Sequence, residues 1–187
     1  DWVASGSIMP VKKGAFMGHP SSLVWNTLPN SPVKLSREEI FARINPRIEY
    51  GPDSIQVKPE NIVNEKFTTL AEMKKYMPEL QLPAVWLPHG ILGISSSEIV
   101  KIPKGQWGPF EEQLLVGDQG QSKISRVYLE NINGELQGCA WDFRSGFQSG
   151  IVRMSWASDG SLFVGETNRG WGSAGEANEG LQRLVWN

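Results

Sequence analysis

Two short stretches hold the side chains with the most chemical scope, "LLVGDQGQS" at 114–122 and "SLFVGETNRGWGS" at 161–173. Each closes an apolar run with a carboxylate, Asp118 or Glu166, and follows it with an amide, Gln119 or Asn168; the second adds Arg169 and Trp171. Three chemistries are open to such a set. Asp118 and Glu166, helped by amide and carbonyl oxygens, could be the metal ligands of a calcium shell of about six to eight oxygens. Alternatively, Asp118, Gln119, Glu166, Asn168 and Arg169 could hydrogen-bond sugar hydroxyls while Trp171 stacks on a ring. The third reading is structural: the same groups cap strand ends and pair across neighbouring elements.

Other residues enter with narrower roles. His89 in "LPHGILGIS" is expected to open a strand on the same rim, where an imidazole with an ordinary pKa of about 6.5 could act as a general base; the alternative is a hydrogen-bonded strand-end histidine. Arg144 in "FRSGFQSG" could reach the same mouth to meet an acidic or quinone-type ligand. Arg153 lies mid-strand and is expected to find a carboxylate or carbonyls, because an unpaired buried guanidinium is costly. His19, beside Pro20, reads as structural, and two histidines are too few for a His-rich zinc site. The single cysteine, Cys139, can form neither an internal disulfide nor a CxxC site, and is expected to be a small packed residue. No nucleophile elbow, P-loop or dinucleotide-binding glycine pattern precedes a helix.

Bulk composition sets outer bounds. The chain has 187 residues, 40% hydrophobic and 20% charged, ordinary values for a globular protein. A net charge of -2 supplies no basic field, and no Lys/Arg stripe with interleaved aromatics runs along it, so nucleic acid is set aside as a partner. No apolar run is long enough for a transmembrane helix. The sequence starts "DWVASGSIMP", without Met or a leader pattern, and is expected to begin inside a longer protein.

The elements that would position these residues follow from a repeat. Leu114–Asp118 falls on Leu162–Glu166 at an offset of 48 positions. Downstream of each comes another apolar strand with an Arg-aliphatic pair, Arg126-Val127 in "KISRVYLE" and Arg183-Leu184 in "LQRLVW". Upstream of the second, "GIVRMSWASDG" is an alternating strand closed by Ser158-Asp159-Gly160, a tight-turn composition. The unit is strand, turn, strand, polar loop, strand. A period of about 40–50 residues with several strands per unit predicts β-propeller blades, whose two faces are both covered by neighbours. That explains apolar side chains at consecutive positions, and the eight tryptophans suit the wedge between blades. The fold class expected is all-β, a single partial β-propeller over 1–187.

Region 27–82 departs from this pattern and is expected to be a loop and helix insertion between blades. "SREEIFARI" pairs Ser36 with Glu39 as a capping box, and "TLAEMKKYMP" pairs Thr69 with Glu72 before Pro78. The stretch between them reads as loop. Without this insertion about 130 residues remain, enough for about three blades, fewer than a closed propeller needs.

The runs "GAFMGHPSSLVW", "LPAVWLPHGILGISSSEIV", "GPFEEQLLVGDQGQSKISRVYLE" and "SGIVRMSWASDGSLFVGETNRGWGS" resemble the C-terminal part of the propeller in bacterial glucose/sorbosone dehydrogenase-like proteins. The likeness is greatest to the large multidomain "membrane-bound dehydrogenase" type that carries haem-binding c-type cytochrome modules. It covers most of the chain outside 27–82 and is most specific over 108–172. The resemblance implies a six-bladed propeller in a periplasmic or secreted protein, with pyrroloquinoline quinone and calcium as cofactors in the soluble members. It also implies, as partners, the remaining blades, a c-type cytochrome domain and a small sugar. The parent would oxidise a sugar or alcohol hydroxyl and pass electrons to a quinone or haem. The family's catalytic His precedes this segment, and its cofactor-gripping Lys and Arg positions fall near Gly120 or Gln121 and near Gly150 and Val152. Those departures favour an alternative, a non-catalytic propeller that binds carbohydrate or a protein partner within a large cell-surface or periplasmic protein.

Overall fold

In the computed structural model the described residues are 6–18, 29–30, 49–50, 56–57, 70–75, 77–170 and 172–187. The chain divides into two compact units, one of Ser5–Ile8 with Ala84–Asn187 and the other of the remaining residues. The strands in chain order are β1 (Gly6–Ile8), β2 (Glu49–Tyr50), β3 (Gln56–Val57), β4 (Val85–Leu87), β5 (Ser96–Lys101), β6 (Leu114–Asp118), β7 (Lys123–Ile132), β8 (Glu135–Arg144), β9 (Ile151–Trp156), β10 (Leu162–Thr167) and β11 (Glu179–Leu184). One short α-helix, α1 (Leu70–Lys74), accompanies them among the described residues.

In the second unit, α1 carries Glu72 in its first turn and Lys74 in its last, the arrangement the helix dipole favours. The Lys74 ammonium donates to the Leu80 carbonyl at 2.7 Å. The Ser36 capping box and the cap residue Thr69 lie outside the described residues. Where the sequence reads as loop, β2 and β3 pair antiparallel, Glu49 with Val57 and Tyr50 with Gln56. Tyr and Val favour extended backbone, and Gly51-Pro52-Asp53-Ser54 between them has turn composition, a signal that the expectation of a loop passed over.

The other unit is a stack of three antiparallel sheets, β1-β4, β5-β6-β7-β8 and β9-β10-β11. This is the all-β, partial-propeller architecture expected. Strand β6 shows why its residues are apolar in succession. Val116 turns toward β4 and joins Val85, Leu87 and Val127, whereas Leu115 turns the other way and joins Ile124, Ile151, Met154, Leu162 and Val164. Both are buried, at 4% and 0% exposure, as the middle layer of a stack requires. Each such side chain contributes about 1.5–3 kcal/mol by leaving water, so the two interfaces dominate the stability of the stack.

The repeat holds in register as well as in sequence. Leu115 pairs with Arg126, and Phe163, its equivalent, pairs with Arg183. Gly117 pairs with Ile124 and Gly165 with Leu181 in the same relation. The first two strands of each sheet turn at one rim. There the Trp107 indole N–H donates to the Gly160 carbonyl at 2.9 Å and that of Trp156 to the Lys101 carbonyl at 2.9 Å. Trp107 is 5% exposed and meets Trp156 edge-on with centroids 5.0 Å apart, so these two rings fill the wedge between sheets. Cys139 is exposed on β8, not packed. Strand β8 lies at the edge of its sheet, and its residues are mostly exposed.

Candidate functional site

The opposite rim gathers the ends of β6 and β10. Strand β6 ends at Asp118 and a tight turn leads into β7; β10 ends at Thr167 and a glycine-rich loop leads into β11. These tips interlock. The Gln119 amide donates to the Thr167 carbonyl at 3.3 Å, Ala174 N–H to the Gly120 carbonyl at 3.0 Å, and Gly175 N–H to the Ser122 hydroxyl at 2.9 Å. Gly150, before β9, passes so close to Gln119 and Thr167 that a Cβ there would collide with both carbonyl oxygens, which explains why glycine stands at that position. Asp118 and Glu166 therefore lie toward one rim, as the repeat requires.

Their surroundings decide what they can do. Asp118 is 1% exposed. Its Oδ2 accepts the N–H groups of Ile94 at 2.8 Å and Ser95 at 2.9 Å, and its Oδ1 accepts that of Gln121 at 2.8 Å. The carboxylate thus holds both the loop that leads into β5 and the turn that leaves β6. Glu166 repeats the device one sheet on: its Oε2 accepts Ser149 N–H at 2.8 Å from the loop leading into β9. Its Oε1 and the Ser149 hydroxyl are buried, and among the described residues neither has a hydrogen-bond partner. Burial pushes the Glu166 carboxyl above its ordinary pKa, and the Ser149 N–H opposes that shift in part.

Other predicted residues sit around this frame. Gln119 is buried and its N–H donates to the Ser95 carbonyl at 2.9 Å. Asn168 is half-buried, its N–H donating to the Asn178 carbonyl at 3.0 Å. Arg169 is exposed, with its backbone N–H held by the Thr167 hydroxyl at 3.2 Å. Trp171 and His19 lie outside the described residues. His89 does not open a strand: it is exposed in a turn between β4 and β5, where Ile91 and Leu92 N–H groups both donate to the Pro88 carbonyl. Pro88 and Gly90 favour that turn over an extended start. The turn is nevertheless docked to this rim, because the Gln121 side chain donates to the Gly90 carbonyl at 2.7 Å. Arg144 ends β8, exposed, with its guanidinium 5.5 Å from the Phe143 ring centroid. Arg153 finds a carboxylate, Glu98 at 3.5 Å, but does so in solvent with 77% of its side chain exposed.

Lys123 escaped sequence reasoning. Its side chain is 8% exposed, its ammonium donates to the Ile91 carbonyl, and it pairs with Asp142 at 2.7 Å. A lysine at the first position of a strand reads as a surface residue. Its partners, Ile91 in the 88–95 turn and Asp142 on β8, are both far from it in sequence.

These surroundings test the cofactors that the resemblance implies. Asp118 has both oxygens committed to backbone donors, and among the described residues no three His, Cys, Asp or Glu side chains come together to hold a metal ion. The shared calcium set of Asp118 and Glu166 does not fit this geometry. The places that the resemblance gives the quinone-gripping cations fall near Gly120 or Gln121 and near Gly150 and Val152, and the nearby Lys123 is spent on Asp142 and Ile91. These residues do not fit the quinone either.

No protein-family model matches the chain, and no curated protein does. Among solved structures, it is similar to a provisionally assigned oxidoreductase (glucose dehydrogenase) from Thermus thermophilus, with 20% identity and a TM-score of 0.41. The similarity covers 57% of this chain and 30% of that one.

Proposed function

We propose that this chain is the non-catalytic, ligand-presenting part of a propeller-like module in a larger periplasmic or cell-surface protein, and that its ligand is a carbohydrate met by the 167–173 loop. The observation that carries this reading is the Asp118 carboxylate, taken up by three backbone N–H groups. The acidic tips then serve as a rigid platform, and the polar residues that follow the second of them are half-buried Asn168 and exposed Arg169. An arginine fork and an amide suit vicinal hydroxyls, and Trp171 in the same loop supplies a ring of the kind that stacks on sugars. The oxidising version, in which the parent passes electrons from a sugar to a quinone or haem, asks for cofactor-holding cations that Gly120, Gln121, Gly150 and Val152 do not supply.

The test is calorimetric titration of the chain with a panel of mono- and oligosaccharides, followed by Arg169→Ala, Asn168→Ala and Trp171→Ala. Loss of binding in these variants at unchanged melting temperature is expected. Sugar oxidation by the chain with pyrroloquinoline quinone and calcium supplied, or binding indifferent to all three substitutions, refutes the reading.

A further inference from the structure

The hairpin of β7 and β8 runs on past the rest of its sheet. Strand β6 accompanies β7 only as far as the pair of Leu114 with Val127, whereas β7 and β8 stay paired out to Ile132 and Glu135. Leu129 still packs on the core beside Val127, but every residue from Asn131 to Cys139 is exposed. A ribbon of two strands is marginally stable by itself, so this end of the sheet opens more readily than the stacked part.

Its turn is Asn133-Gly134, both left-handed, with φ of 52° and 89°, the two-residue type I′ connection that Asn-Gly favours. No heavy atom lies within 4 Å of where a Cβ on Gly134 would stand, so the turn is open to water. The Gly134 N–H donates to Asn131 Oδ1 at 2.9 Å.

That bond occupies a nitrogen with a competing reaction. On losing its proton, the Gly134 nitrogen can add to the side-chain carbonyl carbon of Asn133. The new N–C bond closes a five-membered imide as the bond to the side-chain NH2 group breaks and ammonia leaves. Water then opens the imide at one carbonyl or the other, leaving aspartate or isoaspartate at position 133. Glycine favours the attack because no side chain shields its nitrogen. The fold opposes it twice: Asn131 Oδ1 keeps the proton on that nitrogen, and the paired strands hold fixed the turn torsions that ring closure must twist.

We propose that Asn133 is a site of spontaneous deamidation and isomerisation, and that Asn131 sets its rate. The reaction passes through states in which the end of the ribbon has opened and Asn131 has released Gly134. Its product places a new carboxylate in a turn between Glu130 and Glu135. The isoaspartate form also lengthens the main chain by one carbon within a two-residue turn, which the type I′ geometry does not accommodate, so the hairpin end unpairs for good. The site uses neither rim tip and does not depend on the carbohydrate reading.

The test is incubation of the intact chain in warm, mildly alkaline buffer beside a synthetic peptide of residues 128–138, with the products at position 133 separated by chromatography and assigned by mass spectrometry. The chain is expected to convert, about tenfold or more slower than the peptide, because only its opened fraction reacts. Asn131→Ala should speed conversion in the chain by about two- to tenfold, the worth of one hydrogen bond, and speed hydrogen exchange of the Gly134 amide by the same factor. Asn131→Asp keeps the acceptor and should stay near the wild-type rate in both measurements. Asn133→Gly, which suits the left-handed position, should abolish the product. Equal rates in chain and peptide, no product in the chain after the peptide has converted, an Asn131→Ala rate equal to wild type, or Asn131→Asp as fast as Asn131→Ala each overturn the proposal.

Discussion

Replacing Asp118 by Asn separates a structural carboxylate from a ligand-binding one, because the two roles predict opposite outcomes. The substitution keeps shape and removes one acceptor. In one flip the new NH2 group faces the N–H groups of Ile94 and Ser95; in the other it faces that of Gln121. The second is better, since it leaves one buried donor unsatisfied instead of two. A buried unpaired donor costs about 1–3 kcal/mol, and the two remaining bonds also lose their charge assistance, so the expected loss is about 2–3 kcal/mol. In a unit of about 100 residues that corresponds to a melting temperature lower by about 10–20 °C. Asp118→Ala, which strands all three donors, should cost more. Thermal and urea unfolding measure the loss, and hydrogen exchange locates it, with the amides of Ile94, Ser95 and Gln121 opening first. Asp118→Asn at wild-type stability, with those amides still protected, refutes the assignment of this carboxylate as the clamp of the rim and returns it to the ligand-binding candidates.

The equivalent substitution one sheet on behaves differently. The buried Glu166 carboxyl has its pKa raised in the folded state, so its contribution to stability is fully present below its unfolded value of 4.5 and is lost as pH rises through the folded value. Glu166→Gln should therefore stabilise the chain at pH 7 relative to wild type, an advantage that vanishes below about pH 4 in a pH series of urea midpoints. Gly117→Val should destabilise by about 1–3 kcal/mol through collision with Ile151, while Gly165→Val at the equivalent place, where a Cβ would meet only Arg153 atoms, should lie within about 0.5 kcal/mol of wild type, a contrast that chemical denaturation reads directly. At the other rim, the Asp159 carboxyl is held below its ordinary pKa by the hydroxyl and N–H of Ser161 and then by Arg183. Its contribution is present above its unfolded value of 3.8 and is lost as pH falls through the lower folded one, so Asp159→Asn should flatten the acid limb of the unfolding profile and leave the neutral side of that limb sloping as before.

The all-β class, the stacked sheets and the equivalence of 114–118 with 162–166 are legible because a layer covered on both faces leaves apolar residues at consecutive positions. Leu115 and Val116 bear that mark and point to opposite neighbours. The 45–61 stretch reads as loop because its strands are two residues each, too short for a period to show. His89 is hard to place for a related reason: Pro88 and Gly90 flank it, but the apolar residues after them mimic a strand, whereas they fold back as a turn. Lys123 is not legible in the sequence, since the groups its ammonium meets, the Ile91 carbonyl and the Asp142 carboxylate, are brought to it only by the fold.

The role of the acidic tips is not written in their local sequence. A carboxylate after a buried strand has the same local sequence whether it faces a ligand or a backbone loop. Its partners decide, and two of the three that Asp118 has lie 24 and 23 residues upstream. The repetition itself favours the structural role. A binding site needs its ligating group once, at one place, whereas each sheet in a stack must fix the loop that delivers its own first strand. Asp118 does so for β5 and Glu166 for β9. Residues that recur with the sheet period are thus more apt to hold the scaffold, and those present in only one repeat are more apt to carry specificity. By that criterion Arg169 and Trp171, with Gln121 and Lys123 rather than Arg and Trp at the corresponding places of the first tip, are where discrimination between ligands should be sought.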